Sequence, residues 1–198
     1  MIFGITGGTG CGKTTLLTLI AQAGGLVLDC DAIYHELLSR DAGLLAAIEG
    51  RFPGVVENGA LQRKKLGAVV FSDPAALADL NKITHTAVKQ EVLRRLKGGP
   101  DLAAIDAIAL FEGGLAELCD VTVAVTAPIE ARVQRLMGRD GIDEAYARSR
   151  IAAQHEPLWF CRRCDHTLTN DSDRETFFQK CVAFLSQYGI IVEKDFSS

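Results

Sequence analysis

Short apolar runs alternate with longer stretches of helical periodicity along the chain. The apolar runs have the length and composition of buried strands, and there are five of them, at residues 2–6, 25–31, 102–110, 121–127 and 166–170. Buried strands separated by helices are typical of βαβ units. The pattern therefore predicts an α/β fold of three layers, with a mostly parallel five-stranded sheet between helices.

The stretch between the second and third predicted strands is long for an ordinary crossover, because it runs from about residue 31 to 97. Within it, Leu77 and Leu80 lie at helical spacing, after a proline, Pro74, that suits a first helical turn. We expect a helical segment over about 31–97, inside a single domain that spans residues 1–198.

The last predicted helix begins near Ser172 and Glu175, which match a capping box. Phe177, Cys181 and Leu185 follow at helical spacing. We interpret this stripe as core packing rather than as a ligand-binding face.

Glycines crowd the segment that follows the first predicted strand, GGTGCGKT at residues 7–14. It satisfies the pattern G-x-x-x-x-G-K-[ST], and a predicted helix follows it. Glycines let the backbone wrap around a phosphate, the helix N-terminus favours its negative charge, and the lysine adds a mobile positive charge. We expect a cradle for the phosphates of a nucleoside triphosphate, formed by Gly8, Thr9, Gly10, Cys11, Gly12, Lys13, Thr14 and Thr15.

Two residues of this loop need separate interpretation. Thr14 offers a hydroxyl group, which is the expected protein ligand of Mg²⁺ in such loops. Cys11 is interpreted as a small loop residue rather than a nucleophile, although a helix N-terminus can lower the pKa of a thiol.

Two carboxylates close the second predicted strand, Asp29 and Asp31. Residues two apart on a strand point the same way, and ligands of open α/β sheets bind beyond the carboxyl ends of the strands. The pair can therefore hold Mg²⁺ or accept a proton from an attacking hydroxyl group. The alternative is that Asp31 only caps the helix that follows.

Arginines recur between residues 132 and 150, and Arg132, Arg135 and Arg139 share one helical face. Gly138 and the sequence RDGID interrupt this helix, which predicts a small lid over about residues 132–155. Arginines on a movable segment can neutralise charge during phosphoryl transfer. The alternative is an ordinary solvated face, and it stays open for Arg135 and Arg148 in particular.

Composition narrows the possible partners. The chain has 21 Lys and Arg against 25 Asp and Glu, a net charge of −4, which argues against general nucleic-acid binding. No run has the length of a membrane-spanning helix and no signal peptide is evident, so we expect a cytoplasmic protein with reduced cysteines. We also expect the protein to be a monomer. Cys161 and Cys164 have the spacing C-x-x-C; a zinc site is one interpretation, and a surface loop with two thiols is the favoured one.

The ordered set of motifs resembles the dephospho-CoA kinase family, and the resemblance covers nearly the whole chain. It rests on GITGGTGCGKTT, LDCDAIYHEL, LQRKKLGAVVF, LNKITHTAV, IALFEGGL, RVQRLMGRDGIDEAYARSRIAAQ and LTND. The resemblance implies a P-loop fold like that of the nucleoside monophosphate kinases, with the helical segment on the acceptor side. It also implies ATP and Mg²⁺ as cofactors and dephospho-CoA as the small-molecule partner.

The resemblance assigns roles at matching positions. Asp31 would be the general base for the ribose 3′-hydroxyl group of dephospho-CoA, and Lys13 and Arg139 would stabilise the transferring phosphoryl group. Asn170 would lie near the adenine of ATP. The residues that would border the acceptor site are Arg63, His85, Leu110, Phe111 and Glu112. From its position alone, the favoured interpretation of His85 is a plain surface histidine.

The chain departs from the family pattern at two positions. Thr86 stands where the family usually has proline after the helical histidine, and Ile108 stands where it usually has proline before the Leu-Phe-Glu stretch. Both changes bear on the wall of the acceptor site. The competing interpretations are another small P-loop kinase, with a nucleotide or metabolite as acceptor, and a nucleotide-dependent switch, although no guanine-reading N-K-x-D motif is present.

Overall fold

The computed structural model describes residues 1–192, which form two compact units. The sheet unit comprises residues 1–28, 100–110 and 116–192, and the helical unit comprises residues 29–99 and 111–115. The single domain predicted over 1–198 stays a prediction, and its last residues, 193–198, lie outside the described part of the chain.

The sheet of the first unit has five strands, which are β1 (Ile2–Thr6), β2 (Leu26–Asp29), β5 (Ala103–Asp106), β6 (Val121–Thr126) and β7 (His166–Thr169). Their order across the sheet is β2-β5-β1-β6-β7, and the pairs β5–β1, β1–β6 and β6–β7 are parallel. The predicted five-stranded parallel sheet is thereby confirmed. Its helices are α1 (Lys13–Gln22), α6 (Ile129–Asp140), α7 (Glu144–Ala152), α8 (Pro157–Cys161) and α9 (Arg174–Ser186), with a 3₁₀ turn at Ala116–Leu118.

The central strand β1 is buried because apolar side chains cover it from neighbouring helices. Phe3 and Ile5 are fully buried in one cluster with residues of α1 and α9. Phe177, Cys181 and Leu185 of α9 belong to the same cluster, which confirms the interpretation of that stripe as core packing. Burial of this apolar surface fixes β1, and with it the start of the glycine loop, at the centre of the sheet.

Three predicted boundaries are wrong, and so is the helix interruption predicted at Gly138, because α6 runs unbroken from Ile129 to Asp140. Strand β2 ends at Asp29, and Cys30 already begins a helix, so Asp29 and Asp31 do not share one face of a strand. Strand β5 ends at Asp106, and the segment LFEGG forms turns instead of ending the strand. The cap of α9 is Asp173, whose carboxylate accepts a hydrogen bond from the Thr176 N–H, and not Ser172.

The helical unit confirms the helical character predicted for about residues 31–97. Its helices are α2 (Cys30–Arg40), α3 (Ala42–Arg51), α4 (Arg63–Val70) and α5 (Pro74–Leu96). It also holds a short antiparallel hairpin of β3 (Val56–Glu57) and β4 (Ala60–Leu61), which sequence analysis missed. The signal was present, because Asn58-Gly59 is a preferred two-residue hairpin turn and both residues have positive φ.

Ion pairs join α2 and α5 of the helical unit. Glu91 is buried and accepts hydrogen bonds from the guanidinium groups of Arg40, Arg94 and Arg95. Arg95 also pairs with Glu36 on α2. These charge-assisted bonds stabilise the packing of the two helices.

Within residues 1–192, the helices are all too short or too polar to cross a membrane.

Candidate active site

The glycine loop leaves β1 and ends on α1, as predicted. Gly7, Gly10 and Gly12 have φ angles of 134°, 77° and 97°, which side chains on other residues rarely permit. Gly12 is the N-cap of α1, so the loop delivers the chain directly to the N-terminus of a ten-residue helix. That geometry combines backbone N–H groups with the positive end of the helix dipole, which favours a bound phosphate.

Lys13 is held at the base of this loop. Its ammonium group donates a hydrogen bond to the Gly7 carbonyl at 3.0 Å and lies 3.8 Å from Asp106 Oδ1. Asp106 is the last residue of β5, in register with Ile5 of β1. Sequence analysis missed Asp106, although a carboxylate at the end of a strand beside the loop is the signal expected of a P-loop protein.

Asn170 also contacts the loop. Its side-chain Nδ2 donates to the Cys11 carbonyl at 3.0 Å, and its backbone N–H donates to the Thr126 carbonyl at 2.7 Å. A side chain on Gly12 would overlap Asn170 Nδ2, so glycine is required there for packing as well as for its φ angle. Asn170 is therefore placed beside the loop, and its proximity to adenine stays a prediction.

Arg132 and Arg135 of α6 hold the carbonyl groups of the loop. Arg132 is 2% exposed and donates from Nε to the Thr9 carbonyl at 2.9 Å. Arg135 donates to the Gly10 carbonyl at 3.1 Å and to the Cys11 carbonyl at 3.4 Å. Neither arginine lies on an ordinary solvated face. Sequence analysis placed Arg132 on the correct helix but gave no reason for its burial.

The other arginines of this region pair with carboxylates. Arg139 donates to both carboxylate oxygens of Asp140, at 2.6 and 3.0 Å, and Arg150 donates to the same group at 2.6 Å. These two guanidinium groups lower the pKa of Asp140 to about 2. Arg148 pairs with Glu130 and Glu144, so it has the solvated, salt-bridged surroundings of the alternative interpretation.

The remaining loop residues differ in exposure. Cys11 is 2% exposed, and burial raises the pKa of its thiol despite the positive charges of Arg132 and Lys13 nearby. A buried thiol of this kind agrees with a packing role rather than a nucleophilic one. Thr14 is exposed and Thr15 partly exposed, in the first turn of α1.

In the helical unit, Asp29 and Asp31 have different surroundings. Asp29 caps α2, because its carboxylate accepts a hydrogen bond from the Ala32 N–H at 3.0 Å. Asp31 is exposed in the first turn of that helix. The capping function therefore belongs to Asp29, and the carboxylate of Asp31 is not used as the helix cap.

Arg63 is the first residue of α4, and its side chain lies against α2, the helix that contains Asp31. Its guanidinium is 3.3 Å from Nδ1 of His35, four residues after Asp31 on α2. Burial raises the pKa of Tyr34, and the positive charge of Arg63 opposes that rise. Two of the residues predicted for the acceptor, Asp31 and Arg63, therefore belong to one neighbourhood in the helical unit.

A groove of about 660 Å³ brings together two further predicted residues, His85 and Glu112. It runs along one face of α5, and its other lining residues include Lys82, Thr86 and Lys89. The hydroxyl group of Thr86 donates to the Lys82 carbonyl at 2.7 Å, one turn earlier on the helix. With threonine in place of proline, α5 continues without interruption from Pro74 to Leu96.

Leu110 and Phe111 lie on either side of the boundary between the units. Leu110 is fully buried in the sheet unit, where a side chain on Gly4 would meet it at 3.0 Å. Phe111 is partly buried in the helical unit. The carbonyl of Ile108, the second departure from the family pattern, accepts a hydrogen bond from the Thr6 hydroxyl at 3.2 Å.

The possible zinc site at Cys161 and Cys164 lacks further ligands. Across residues 1–192, His, Cys, Asp and Glu side chains form no group of three that could hold a metal ion. Burial raises the pKa of the Cys164 thiol to about 11. Cys161 and Cys164 are both partly buried, and the interpretation of this segment as a loop with two thiols stays a prediction.

Comparison with known proteins identifies the family. The family model described as dephospho-CoA kinase matches residues 1–175. A dephospho-CoA kinase from Anaeromyxobacter dehalogenans is 41% identical over 191 residues, covering 93% of this chain and 90% of the relative. The crystal structure of a Thermus thermophilus protein superposes with a TM-score of 0.78 at 31% identity, covering 94% of this chain and 97% of the other.

A second solved structure agrees at the level of the fold. It is a dephospho-CoA kinase from Campylobacter jejuni, with a TM-score of 0.66 and 24% identity, covering 94% of this chain and 96% of that one. The match of the family model spans the glycine loop, the helical segment and the arginine-rich helices that sequence analysis singled out. The chain belongs to the dephospho-CoA kinase family.

Proposed function

We propose that this chain transfers the γ-phosphoryl group of ATP to the ribose 3′-hydroxyl group of dephospho-CoA, which yields ADP and coenzyme A in the last step of coenzyme A biosynthesis. The observation that carries the proposal is the glycine loop in its strand–loop–helix setting, in a chain that belongs to this kinase family. The enzyme acts as a monomer in the cytoplasm.

The donor half of the reaction is assigned to the sheet unit. Backbone groups of the loop and the N-terminus of α1 bind the phosphates of ATP, and Lys13 contacts the β- and γ-phosphates. Mg²⁺ prefers oxygen ligands, and the exposed Thr14 hydroxyl and the Asp106 carboxylate are donors of that kind. The bound ion would neutralise negative charge on the phosphates.

The acceptor half is assigned to the helical unit and the turn that follows β5. Asp31 accepts the proton of the 3′-hydroxyl group, which agrees with an exposed carboxylate that does not serve as the cap of α2. Of the residues assigned to the acceptor site, Arg63, His85, Phe111 and Glu112 border the acceptor with their side chains, whereas the side chain of Leu110 is fully buried. The groove beside His85 and Glu112 supports this assignment.

The chemical step exchanges one P–O bond for another. The 3′-oxygen forms a bond to the γ-phosphorus as its proton passes to Asp31, and the bond from that phosphorus to the β–γ bridging oxygen breaks. Lys13 and Arg139 stabilise the charge on the transferring group and on the leaving ADP. Positioning and charge neutralisation supply the catalysis, since the protein forms no covalent bond.

The test is a panel of acceptors with purified full-length protein and MgATP: dephospho-CoA, nucleoside monophosphates, adenosine and a pantetheine-type metabolite. We expect release of ADP that depends on dephospho-CoA, and a product with a 3′-phosphate by ³¹P NMR. Faster turnover of another acceptor would assign the chain to a different kinase activity. Equal ADP release with and without acceptor would indicate a nucleotide switch.

A further inference from the structure

One loop residue, Thr9, has both of its backbone groups bound by side chains from elsewhere in the sheet unit. Its N–H donates to Gln154 Oε1 at 2.8 Å, and its carbonyl accepts from Arg132 Nε at 2.9 Å. Arg132 Nη2 also donates to Gln154 Oε1, at 3.2 Å. Thr9, Gln154 and Arg132 therefore form a closed ring of hydrogen bonds that includes both backbone groups of Thr9 in the glycine loop.

Arg132 and Gln154 lie near the points where the helical hairpin of α6 and α7 begins and ends along the chain. Arg132 is in the first turn of α6, and Gln154 follows the last residue of α7, Ala152. The two helices pack through their own apolar cluster, which contains Val133, Leu136, Ala147 and Ile151. The hydrogen bonds at Thr9 therefore connect both the start of α6 and the segment after α7 to the glycine loop.

The charge of Arg132 is unusual for its surroundings. The side chain is 2% exposed, and its hydrogen-bond partners are two neutral oxygens, with no carboxylate among residues 1–192 paired to it. Burial of an unpaired charge destabilises a fold, so stability alone does not explain an arginine at this position. A bound polyphosphate would supply the missing negative charge.

The guanidinium also touches the loop from behind. A side chain on Gly8 would overlap Arg132 Nη2, and a side chain on Gly10 would lie 3.0 Å from the Arg132 carbonyl. Close packing of this kind leaves the loop little freedom to change its path. A loop held in advance loses less conformational entropy when the nucleotide binds.

We infer that Arg132 and Gln154 are positioning residues, which fix the glycine loop for the nucleotide and place a positive charge behind it. They act through the loop backbone, and neither is assigned a contact with the phosphates. The inference rests on a nucleoside triphosphate as the donor, which is part of the proposed function.

The test compares five variants of the full-length protein with the wild type. Arg132→Met removes the charge and both hydrogen bonds. Arg132→Lys keeps the charge but lacks the planar guanidinium group that makes the two hydrogen bonds. Gln154→Leu removes the shared acceptor oxygen, whereas Gln154→Glu keeps an acceptor oxygen but adds a negative charge beside Arg132. Arg148→Met is the matched control, because Arg148 lies on the same hairpin and, within the described part of the chain, pairs only with the exposed Glu130 and Glu144.

The measurements are the dissociation constant for MgADP, the KM for ATP and for dephospho-CoA, and the thermal midpoint. We expect Arg132→Met and Gln154→Leu to raise the ADP dissociation constant and the KM for ATP by about 10-fold or more, with the KM for dephospho-CoA within about twofold. Arg132→Lys should fall between. Gln154→Glu should also weaken ADP binding, because its carboxylate would pair with Arg132 and neutralise the positive charge behind the loop. Arg148→Met should bind ADP like the wild type. Hydrogen exchange at the Thr9 amide should be faster in Gln154→Leu.

Two results would overturn the inference. One is a folded Arg132→Met or Gln154→Leu protein that binds ADP as the wild type does, and the other is an equal rise in both KM values. If Arg132→Met does not fold, Gln154→Leu decides the matter by the same criteria. A wild-type protein that binds ADP but leaves dephospho-CoA unchanged would contradict the proposed function. In that case, the ADP dissociation constants of the variants would still test the inference about the glycine loop.

Discussion

Lys13 Nζ lies 3.8 Å from Asp106 Oδ1, so the lysine of the glycine loop is held against the last residue of strand β5. Both side chains are largely buried, with 13% and 20% of their surface exposed. This contact between Lys13 and Asp106 follows from the strand register, because Asp106 lies beside Ile5 of β1 and β1 leads into the glycine loop. Strand pairing in the sheet therefore places the acidic and basic groups of the donor site together.

Asp106→Asn should weaken the response to Mg²⁺. The substitution removes a carboxylate at the position from which a strand-end aspartate helps to hold Mg²⁺ in P-loop proteins. We expect the Mg²⁺ concentration for half-maximal activity to rise by about 10- to 100-fold. Steady-state rates over a Mg²⁺ titration at saturating ATP measure this.

Asp101→Asn is the matched control, because Asp101 is exposed at the opposite end of β5. It should leave the Mg²⁺ titration unchanged. An unchanged titration for Asp106→Asn as well would remove Asp106 from the metal site.

Glu91→Gln should destabilise the helical unit. The buried carboxylate accepts hydrogen bonds from three arginines, and Arg94 and Arg95 lower the pKa of Glu91 from 4.5 to about 2. Loss of its charge leaves those guanidinium groups without their common partner, so we expect the free energy of unfolding at pH 7 to fall by about 2 kcal/mol or more. Urea denaturation followed by circular dichroism measures it.

The pH dependence of this effect has a definite sign. A carboxylate whose folded-state pKa is lowered contributes stability above its unfolded pKa of 4.5, and that stability is lost as the pH falls toward 2. The difference in unfolding free energy between the wild type and Glu91→Gln should therefore shrink between pH 4.5 and 2. Asp79→Asn, which breaks an exposed pair with Arg51, should cost less than about 1 kcal/mol. A difference that is constant across this pH range would contradict the assignment to Glu91.

Arg139→Ala should lower kcat more than it changes the KM for ATP. The side chain is 61% exposed and its partner is the adjacent Asp140, so it can leave this pair and approach the transferring group. An arginine that acts on the transition state contributes on the order of 10³ to kcat. Arg148→Ala, on the same pair of helices, should keep kcat within about twofold. Comparable kcat values for the two variants would exclude Arg139 from the chemistry.

The sequence predicted those parts of the fold that local patterns determine. The first strand was correct to the residue, and the helix predicted after the glycine loop is present, because apolar periodicity and the glycine pattern mark both without help from tertiary contacts. The ends of β2 and β5 were placed too late. At β2 the carboxylate of Asp29 caps a helix two residues earlier than the alternation of apolar and polar residues indicated.

The candidate site, like the fold, was predictable only where a local pattern of residues specifies it. The glycine loop follows a pattern of consecutive residues, so it could be identified directly. The contacts of Arg132 and Gln154 with Thr9 join residues more than 120 positions apart, and no local pattern specifies such a pair. Burial of Arg132 depends on how α6 packs against the loop, which is a property of the folded chain alone.

Asp31→Asn tests the base of the reaction, and the neighbouring aspartate supplies the control. Asp31 is exposed and makes no capping bond, whereas Asp29 caps α2 through the Ala32 N–H. Asparagine is as good an N-cap as aspartate, so Asp29→Asn should preserve both the helix and the activity. Asp31→Asn keeps the shape of the side chain but loses the group that accepts a proton.

We expect kcat of Asp31→Asn to fall by about 10²- to 10⁴-fold, with the dissociation constant for MgADP unchanged. Single-turnover phosphorylation of dephospho-CoA and ADP binding by calorimetry, both on the full-length variant, separate the two quantities. A near-normal rate for Asp31→Asn would remove the base from this position. Equal losses in Asp31→Asn and Asp29→Asn would instead assign the effect to the start of α2, since both residues share that turn and only one of them is proposed to receive the proton.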